Sequence, residues 1–125
     1  MDTRPIRFVH RGQITSVEGV APTRSVLDWL REDARCTGTK EGCAEGDCGA
    51  CTIAVGRPDG DRLRYEAVNS CLMLLPQLDG AAVLTFDGLA AADGTLHPVQ
   101  QALVDADATQ CGFCTPGFAM AMFAF

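Results

Sequence analysis

The chain of 125 residues has 10 basic and 16 acidic side chains, a formal net charge of −6, and no basic run of the kind that nucleic-acid binding needs. Hydrophobic residues make up 47% and charged residues 21%, which is typical of soluble globular proteins, and the apolar runs are shorter than the roughly 18–20 residues of a membrane span. The acidic charge and the short apolar runs lead us to expect no nucleic-acid or membrane partner. Residues 2–5 do not resemble a secretory leader, so we expect a cytoplasmic protein.

The first elements are a hairpin and a helix. Segments 6–9 and 13–17 alternate apolar and polar side chains around a short turn, which predicts a β-hairpin. Apolar residues then recur at helical spacing in segment 26–34, and Thr23 or Ser25 can cap the helix that this pattern predicts.

A loop and three short strands follow. Segment 36–51 has no usable periodicity and contains several glycines, so we expect an irregular loop. Strands are predicted at 52–55 and 63–68 around a turn at 58–61, and a further strand at 82–86. A hairpin, a helix, a loop and three strands indicate a small mixed sheet packed on one helix, an α+β fold of the β-grasp type.

The composition changes after residue 89. Small residues form a plausible linker, a helix is predicted to begin at Pro98, and a very apolar helix begins at Pro116. We expect two domains, 1–89 and 90–125, the second being the incomplete beginning of a helical domain. We also expect the helix from Pro116 to find no cover within the chain.

Cysteine is the most informative residue type. The odd number of cysteines disfavours a disulfide framework and favours metal binding or redox chemistry. The cysteines are Cys36, Cys43, Cys48, Cys51, Cys71, Cys111 and Cys114. Four of them, Cys43, Cys48, Cys51 and Cys71, follow the C-x4-C-x2-C…C order of plant-type [2Fe–2S] sites. Thiolates suit iron, and the loop glycines allow a tight wrap, so we predict a [2Fe–2S] cluster that passes single electrons.

The other cysteines and histidines are assigned differently. Cys36 is predicted to be a buried core residue, and His10 and His97 to be turn or capping residues. The pair Cys111 and Cys114 fits either a redox dithiol or half of a second metal site, and its spacing alone leaves both open. A structural zinc module is disfavoured because the two C-x2-C pairs lie far apart in the chain.

Four stretches carry a family resemblance that runs through the whole chain. They resemble the iron–sulfur part of the molybdenum-containing hydroxylases. Within that family they are most similar to the N-terminal part of the iron–sulfur small subunit of the bacterial xanthine dehydrogenases. The stretches are residues 38–52, 69–76, 96–102 and 110–117.

The resemblance implies a ferredoxin-like domain followed by a helical domain with a second [2Fe–2S] cluster. In that family, substrate is hydroxylated at a molybdenum–pterin centre in another subunit or domain, and electrons pass through both clusters to FAD and then NAD⁺. The resemblance implies the same order of electron transfer here. By resemblance, Cys43, Cys48, Cys51 and Cys71 are ligands of the first cluster, Cys111 and Cys114 are half of the ligands of the second, and Gln110 contacts the pterin.

The resemblance also implies partners. We expect a hetero-oligomer with a molybdenum-binding large subunit and an FAD domain, and no catalytic residue or substrate site in this chain. The family's remaining two ligands of the second cluster lie beyond Phe125, so one complete cluster is expected for these 125 residues. The alternative is a stand-alone soluble [2Fe–2S] ferredoxin.

Overall fold

The computed structural model describes residues 4–43, 45, 48–91, 93–108 and 111–124. The strands are β1 Ile6–His10, β2 Gln13–Val17, β3 Thr52–Asp59, β4 Arg62–Asn69 and β5 Ala82–Leu84. The α-helices are α1 Val26–Asp28, α2 Pro98–Asp105 and α3 Thr115–Ala124. A π-helical turn, Trp29–Asp33, continues α1, and two 3₁₀ turns lie at Leu75–Leu78 and Phe86–Gly88.

Five strands form one mixed sheet in the order β2-β1-β5-β3-β4. The central pair β1 and β5 is parallel, and the β1–β2, β3–β4 and β3–β5 pairs are antiparallel. With the helix that begins at Val26 packed on the sheet, this arrangement confirms the predicted α+β fold of the β-grasp type.

The local turn and cap signals are confirmed. Arg11 and Gly12 both have positive φ (55° and 72°), as a two-residue hairpin turn of type I′ requires. Ser25, rather than Thr23, caps α1, because its Oγ accepts a hydrogen bond of 3.0 Å from the backbone N–H of Asp28.

The predicted ends of β3 and β5 differ from the structure by two or more residues. Strand β3 continues to Asp59 instead of ending at residue 55. Residues 58 and 59 belong to β3, so the turn between β3 and β4 is shorter than the predicted 58–61. Strand β5 ends at Leu84 rather than at 86, since Phe86 begins a 3₁₀ turn and packs on the apolar cluster beneath α3. Tertiary packing of Phe86 therefore overrides its strand propensity.

The main core lies between the sheet and the helix that begins at Val26. Val26 and Leu30 are fully buried, and Trp29 packs edge-on against Phe8 with ring centroids 5.2 Å apart. The core residues include Phe8, Val26, Trp29, Leu30, Cys36, Ile53, Val55, Leu75, Leu78, Ala81 and Val83.

Helix α3 has cover that the sequence did not predict. Ala119 and Met120 are fully buried in a second apolar cluster with Ala54 of β3, and the rings of Tyr65 and Phe123 meet edge-on at 5.6 Å. The expectation that nothing in the chain covers this helix is therefore wrong. It is wrong because the sheet has a second apolar face, on which α3 packs, and no local sequence pattern identified that face. No helix in the described part of the chain is long and apolar enough to cross a membrane.

Cys36 and His10 form a buried pair in the main core. Cys36 is 1% exposed, which confirms its prediction as a core residue, and its Sγ lies 3.8 Å from Nε2 of His10. His10 is 8% exposed, so its prediction as a turn residue is wrong; the alternation of β1 turns its ring inward, edge-on to Trp29. Burial, followed by the charge of Arg11, lowers the pKa of His10, while Asp87 opposes this shift.

The His10 shift predicts an acid-sensitive stability. The folded-state pKa of His10 lies below the ordinary value of 6.5, so the unfolded chain binds the proton more readily. Stability should therefore fall as the pH drops below about 6.5 toward the folded-state pKa. We expect the urea midpoint to decrease between pH 7.5 and pH 5.5, and the decrease to be smaller in His10→Phe, which keeps a ring against Trp29. An equal decrease in both proteins would assign the pH dependence to other groups.

Candidate iron–sulfur site

Two cationic side chains hold the cluster loop, residues 36–51, by hydrogen bonds to its backbone carbonyls. Arg31 Nη1 donates to the carbonyls of Thr37 (3.1 Å) and Thr39 (2.7 Å), and Lys40 Nζ donates to Thr37 (2.9 Å). The N–H of Lys40 also donates to the carbonyl of Ala50 at 3.1 Å, which joins the two ends of the loop. The role of Arg31 was not predicted, because a hydrogen bond from a side chain to a backbone carbonyl leaves no pattern in the sequence.

Cys43 and Cys48, two of the predicted ligands, lie next to each other in the loop. The N–H of Cys48 lies 3.2 Å from Sγ of Cys43, and the N–H of Cys43 lies 3.4 Å from Sγ of Cys48. Glu45 donates to Sγ of Cys43 and Ala50 to Sγ of Cys48, both at 3.4 Å. Four backbone donors thus surround two sulfurs, an arrangement that stabilises negative charge on them.

Cys51 and Cys71 flank the same end of the β3–β4 ladder. Cys51 precedes β3 and is 2% exposed, whereas Cys71 follows β4 and is partly buried. Residues 52 and 69 are paired in the ladder, so both cysteines lie at the same end of it. Ser70 strengthens this junction by donating its Oγ (2.7 Å) and its N–H (3.3 Å) to the carbonyl of Cys51.

Glycines shape the loop at two described positions. A Cβ on Gly42 would lie 2.6 Å from Sγ of Cys48, and Gly49 has a φ of +75°. A side chain at either position would therefore disturb the sulfurs or strain the backbone. Gly46 and Asp47 lie outside the described residues.

The residues present fit a [2Fe–2S] cluster. The donor set is four thiols with backbone N–H groups directed at sulfur, which suits iron. Thr39 adds a fully buried hydroxyl that has no hydrogen-bond partner among the described residues. It lies next to Lys40, whose N–H donates to the carbonyl of Ala50. The described residues contain no group of three His, Cys, Asp or Glu side chains around one ion position.

The second pair of cysteines lies just before α3. Cys111 and Cys114 are both exposed, and with Leu103, Ala108 and Phe118 they line a cavity of about 390 Å³. Gln110 lies outside the described residues, so its predicted pterin contact stays a prediction. The prediction that His97 is a capping residue is confirmed, because its Nδ1 accepts a hydrogen bond of 3.1 Å from the N–H of Val99 at the start of α2.

Two family models match the chain. A model described as a 2Fe-2S iron-sulfur cluster binding domain matches residues 8–76, and one described as a [2Fe-2S] binding domain matches residues 85–125.

Similar curated proteins are much longer than this chain. Aldehyde oxidase 1 of Rattus norvegicus is 42% identical over 126 residues, which cover 99% of this chain and 10% of that protein. Xanthine dehydrogenase of Drosophila subobscura is 47% identical over 119 residues, which cover 94% of this chain and 9% of that protein. The chain therefore spans about a tenth of the length of these relatives.

Solved structures share the fold. The aldehyde oxidoreductase from Desulfovibrio desulfuricans superimposes with a TM-score of 0.81 at 34% identity, over 97% of this chain and 12% of that chain. The quinoline 2-oxidoreductase from Pseudomonas putida superimposes with a TM-score of 0.75 at 36% identity, over 93% of this chain and 65% of that chain.

Proposed function

Since the chain belongs to the family of 2Fe-2S iron-sulfur cluster binding domains, we propose that it is the electron-transfer component of a molybdenum hydroxylase, of the xanthine dehydrogenase type. In this role it relays electrons from a molybdenum–pterin centre toward FAD and NAD⁺. The observation that carries the proposal is the set of four cysteines, with backbone donors directed at two of the sulfurs.

The chain's own residues would perform two tasks. Cys43, Cys48, Cys51 and Cys71 would hold a [2Fe–2S] cluster, which supplies a one-electron redox centre when bound. The N–H groups around Cys43 and Cys48 would offset the negative charge that reduction adds, and so raise the reduction potential.

The exposure of the cysteines shows which side of the site faces solvent. Cys51 is buried against the core, whereas Cys48 is exposed on the loop. Leu72, next to Cys71, is also a large exposed apolar side chain. We place contacts with redox partners on this loop surface, where a protein partner can approach the sulfurs and cover the apolar side chain.

The cofactors and partners beyond this chain follow from the relatives. FAD and molybdopterin would lie in a partner subunit or domain, which agrees with a chain that spans about a tenth of its curated relatives. Cys111 and Cys114 would be two ligands of a second cluster, with Gln110 toward the pterin. A hetero-oligomer in the cytoplasm is the setting we propose, where cysteines remain reduced.

The alternative, a stand-alone ferredoxin, is less well supported. A free ferredoxin needs one cluster domain, whereas residues 85–125 match a second [2Fe–2S] family. The exposed pair before α3 would have no use in such a protein.

Metal analysis of the purified 125-residue chain tests the assignment. We expect about two irons and two acid-labile sulfides per chain, a visible charge-transfer absorption, and an EPR signal after one-electron reduction. Zinc without iron would contradict the proposal. About four irons per chain would contradict the expectation of one complete cluster.

Cys36 provides an internal check on the ligand set. Because its thiol packs between His10 and the backbone of the core rather than at the loop, Cys36→Ala should retain the full iron content and an unchanged spectrum. We expect a loss of about 1–2 kcal/mol in the free energy of unfolding, from the small cavity. Iron analysis and urea unfolding measure the two effects, and loss of iron would place Cys36 among the ligands.

A further inference from the structure

We propose that Gly117 is a positioning residue, which lets α3 lie directly on the cluster loop and thereby brings Cys114, rather than Cys111, against the Cys48 side of the first site. The proposal rests on the proposed function in that Cys48 is taken as a cluster ligand. Beyond the proposed function, it states which cysteine of the second motif lies nearer to Cys48 and which residue sets the distance between the two motifs.

Gly117 is required by close approach and not by backbone conformation. Its φ is not positive, so another residue could adopt the same helical geometry. A Cβ at this position would collide with the carbonyl oxygen of Gly49 and lie 3.3 Å from Cα of Ala50. Both contacts are with backbone, which cannot move aside by a change of rotamer.

The carbonyl beneath Gly117 is itself fixed. Thr52 donates both its N–H (3.1 Å) and its Oγ1 (2.7 Å) to the oxygen of Gly49. The next residue of the loop, Ala50, donates its N–H to Sγ of Cys48. A side chain on Gly117 would therefore either lift α3 or push the loop, and a push would disturb a donor to the cluster sulfur.

The close approach determines which cysteine of the second motif faces the first. Cys48 and Cys114 line the same small cleft of about 160 Å³, together with Gly49, Gly117 and Phe118. Cys111 is not among the residues that line this cleft; it lines the neighbouring cavity with Leu103. Because electron tunnelling weakens steeply with distance, the Cys48–Cys114 edge is the shorter route between the motifs.

Spin labels on Cys111 and Cys114 test this assignment in the full chain with its cluster. A nitroxide is placed on Cys114 in Cys111→Ser, and on Cys111 in Cys114→Ser. The reduced cluster is paramagnetic and broadens a nearby nitroxide more strongly than a distant one. We expect greater broadening at position 114. Equal broadening, or greater broadening at position 111, would overturn the proposal, and this comparison needs no change at Gly117.

Gly117→Ala then tests the positioning role. We expect the label on Cys114 to lose most of its extra broadening, and the reduction potential of the cluster to shift as the Ala50 donor moves. Gly88→Ala is the matched control, since its Cβ would meet only the flexible end of Leu84, at 3.2 Å. Unchanged broadening and potential in Gly117→Ala would overturn the role of Gly117.

Failure of the proposed function gives a different result. A chain that takes up no iron contradicts the ligand assignment at Cys48. In that chain, nitroxides on positions 48 and 114 report their separation by mutual dipolar coupling, and the pair 48 and 111 serves as reference. A shorter separation for 48 and 114 supports the geometric assignment, and a longer one overturns it.

Discussion

Replacing Cys48 by serine is expected to abolish the visible absorption and the reduced-state EPR signal of the [2Fe–2S] centre. Cys48 Sγ receives two backbone N–H groups, from Cys43 and Ala50, each at 3.4 Å, and these donors are placed to stabilise a thiolate. A serine oxygen is a harder ligand than a thiolate and its bond to Cβ is shorter, so it suits iron less well and moves away from the position that Sγ occupies.

The matched control for Cys48→Ser is the same chemical change at an exposed cysteine outside the loop, Cys111→Ser. Both variants are purified under anaerobic conditions, and iron content, absorption and EPR are measured per chain. We expect Cys111→Ser to retain the spectrum of the parent chain. A full spectrum in Cys48→Ser, or its loss in Cys111→Ser, would contradict the ligand assignment.

Gly42→Ala is expected to remove most of the bound cluster while leaving the fold intact. The added Cβ would lie 2.6 Å from Sγ of Cys48, which is too close for nonbonded atoms. In the cluster-free chain the Cys48 side chain can rotate away at little cost. When Sγ is bound to iron it cannot rotate, so the strain acts only on the loaded form.

The measurement compares iron content and far-UV circular dichroism of Gly42→Ala with those of Gly88→Ala. The control carries the same glycine-to-alanine change away from the sulfurs. We expect a several-fold lower iron content in Gly42→Ala and similar dichroism in both. Full iron occupancy in Gly42→Ala would show that the sulfur of Cys48 lies elsewhere when iron is bound.

Much of the site could be predicted because its signals are local. The C-x4-C-x2-C order confines Cys43, Cys48 and Cys51 to one short loop whatever the rest of the chain does. The Ser25 cap and the hairpin turn at residues 11 and 12 likewise depend on hydrogen bonds and φ angles within a few residues. The ligand set itself stays a prediction until the cysteine variants are measured.

Other features depend on contacts between distant segments. Residue spacing gives no sign of the inward position of His10 or of the hydrogen bonds from Arg31 to the loop carbonyls. The same is true of the Thr39 hydroxyl, which has no hydrogen-bond partner in the described part of the chain. Each depends on how neighbouring elements pack, which composition and periodicity do not encode.

The sequence by itself determined the cysteine motif, the hairpin, the first helix and the α+β class, because hydrogen bonding and side-chain periodicity act over a few residues. Only the tertiary structure decided that Cys51 and Cys71 lie at the same end of the β3–β4 ladder, and that α3 finds cover on β3. It also decided that Gly117 lies on the Gly49 carbonyl. Strand register and the position of a helix on a sheet are set by the burial of whole apolar faces. Such a face forms only when segments that are distant in the sequence pack together.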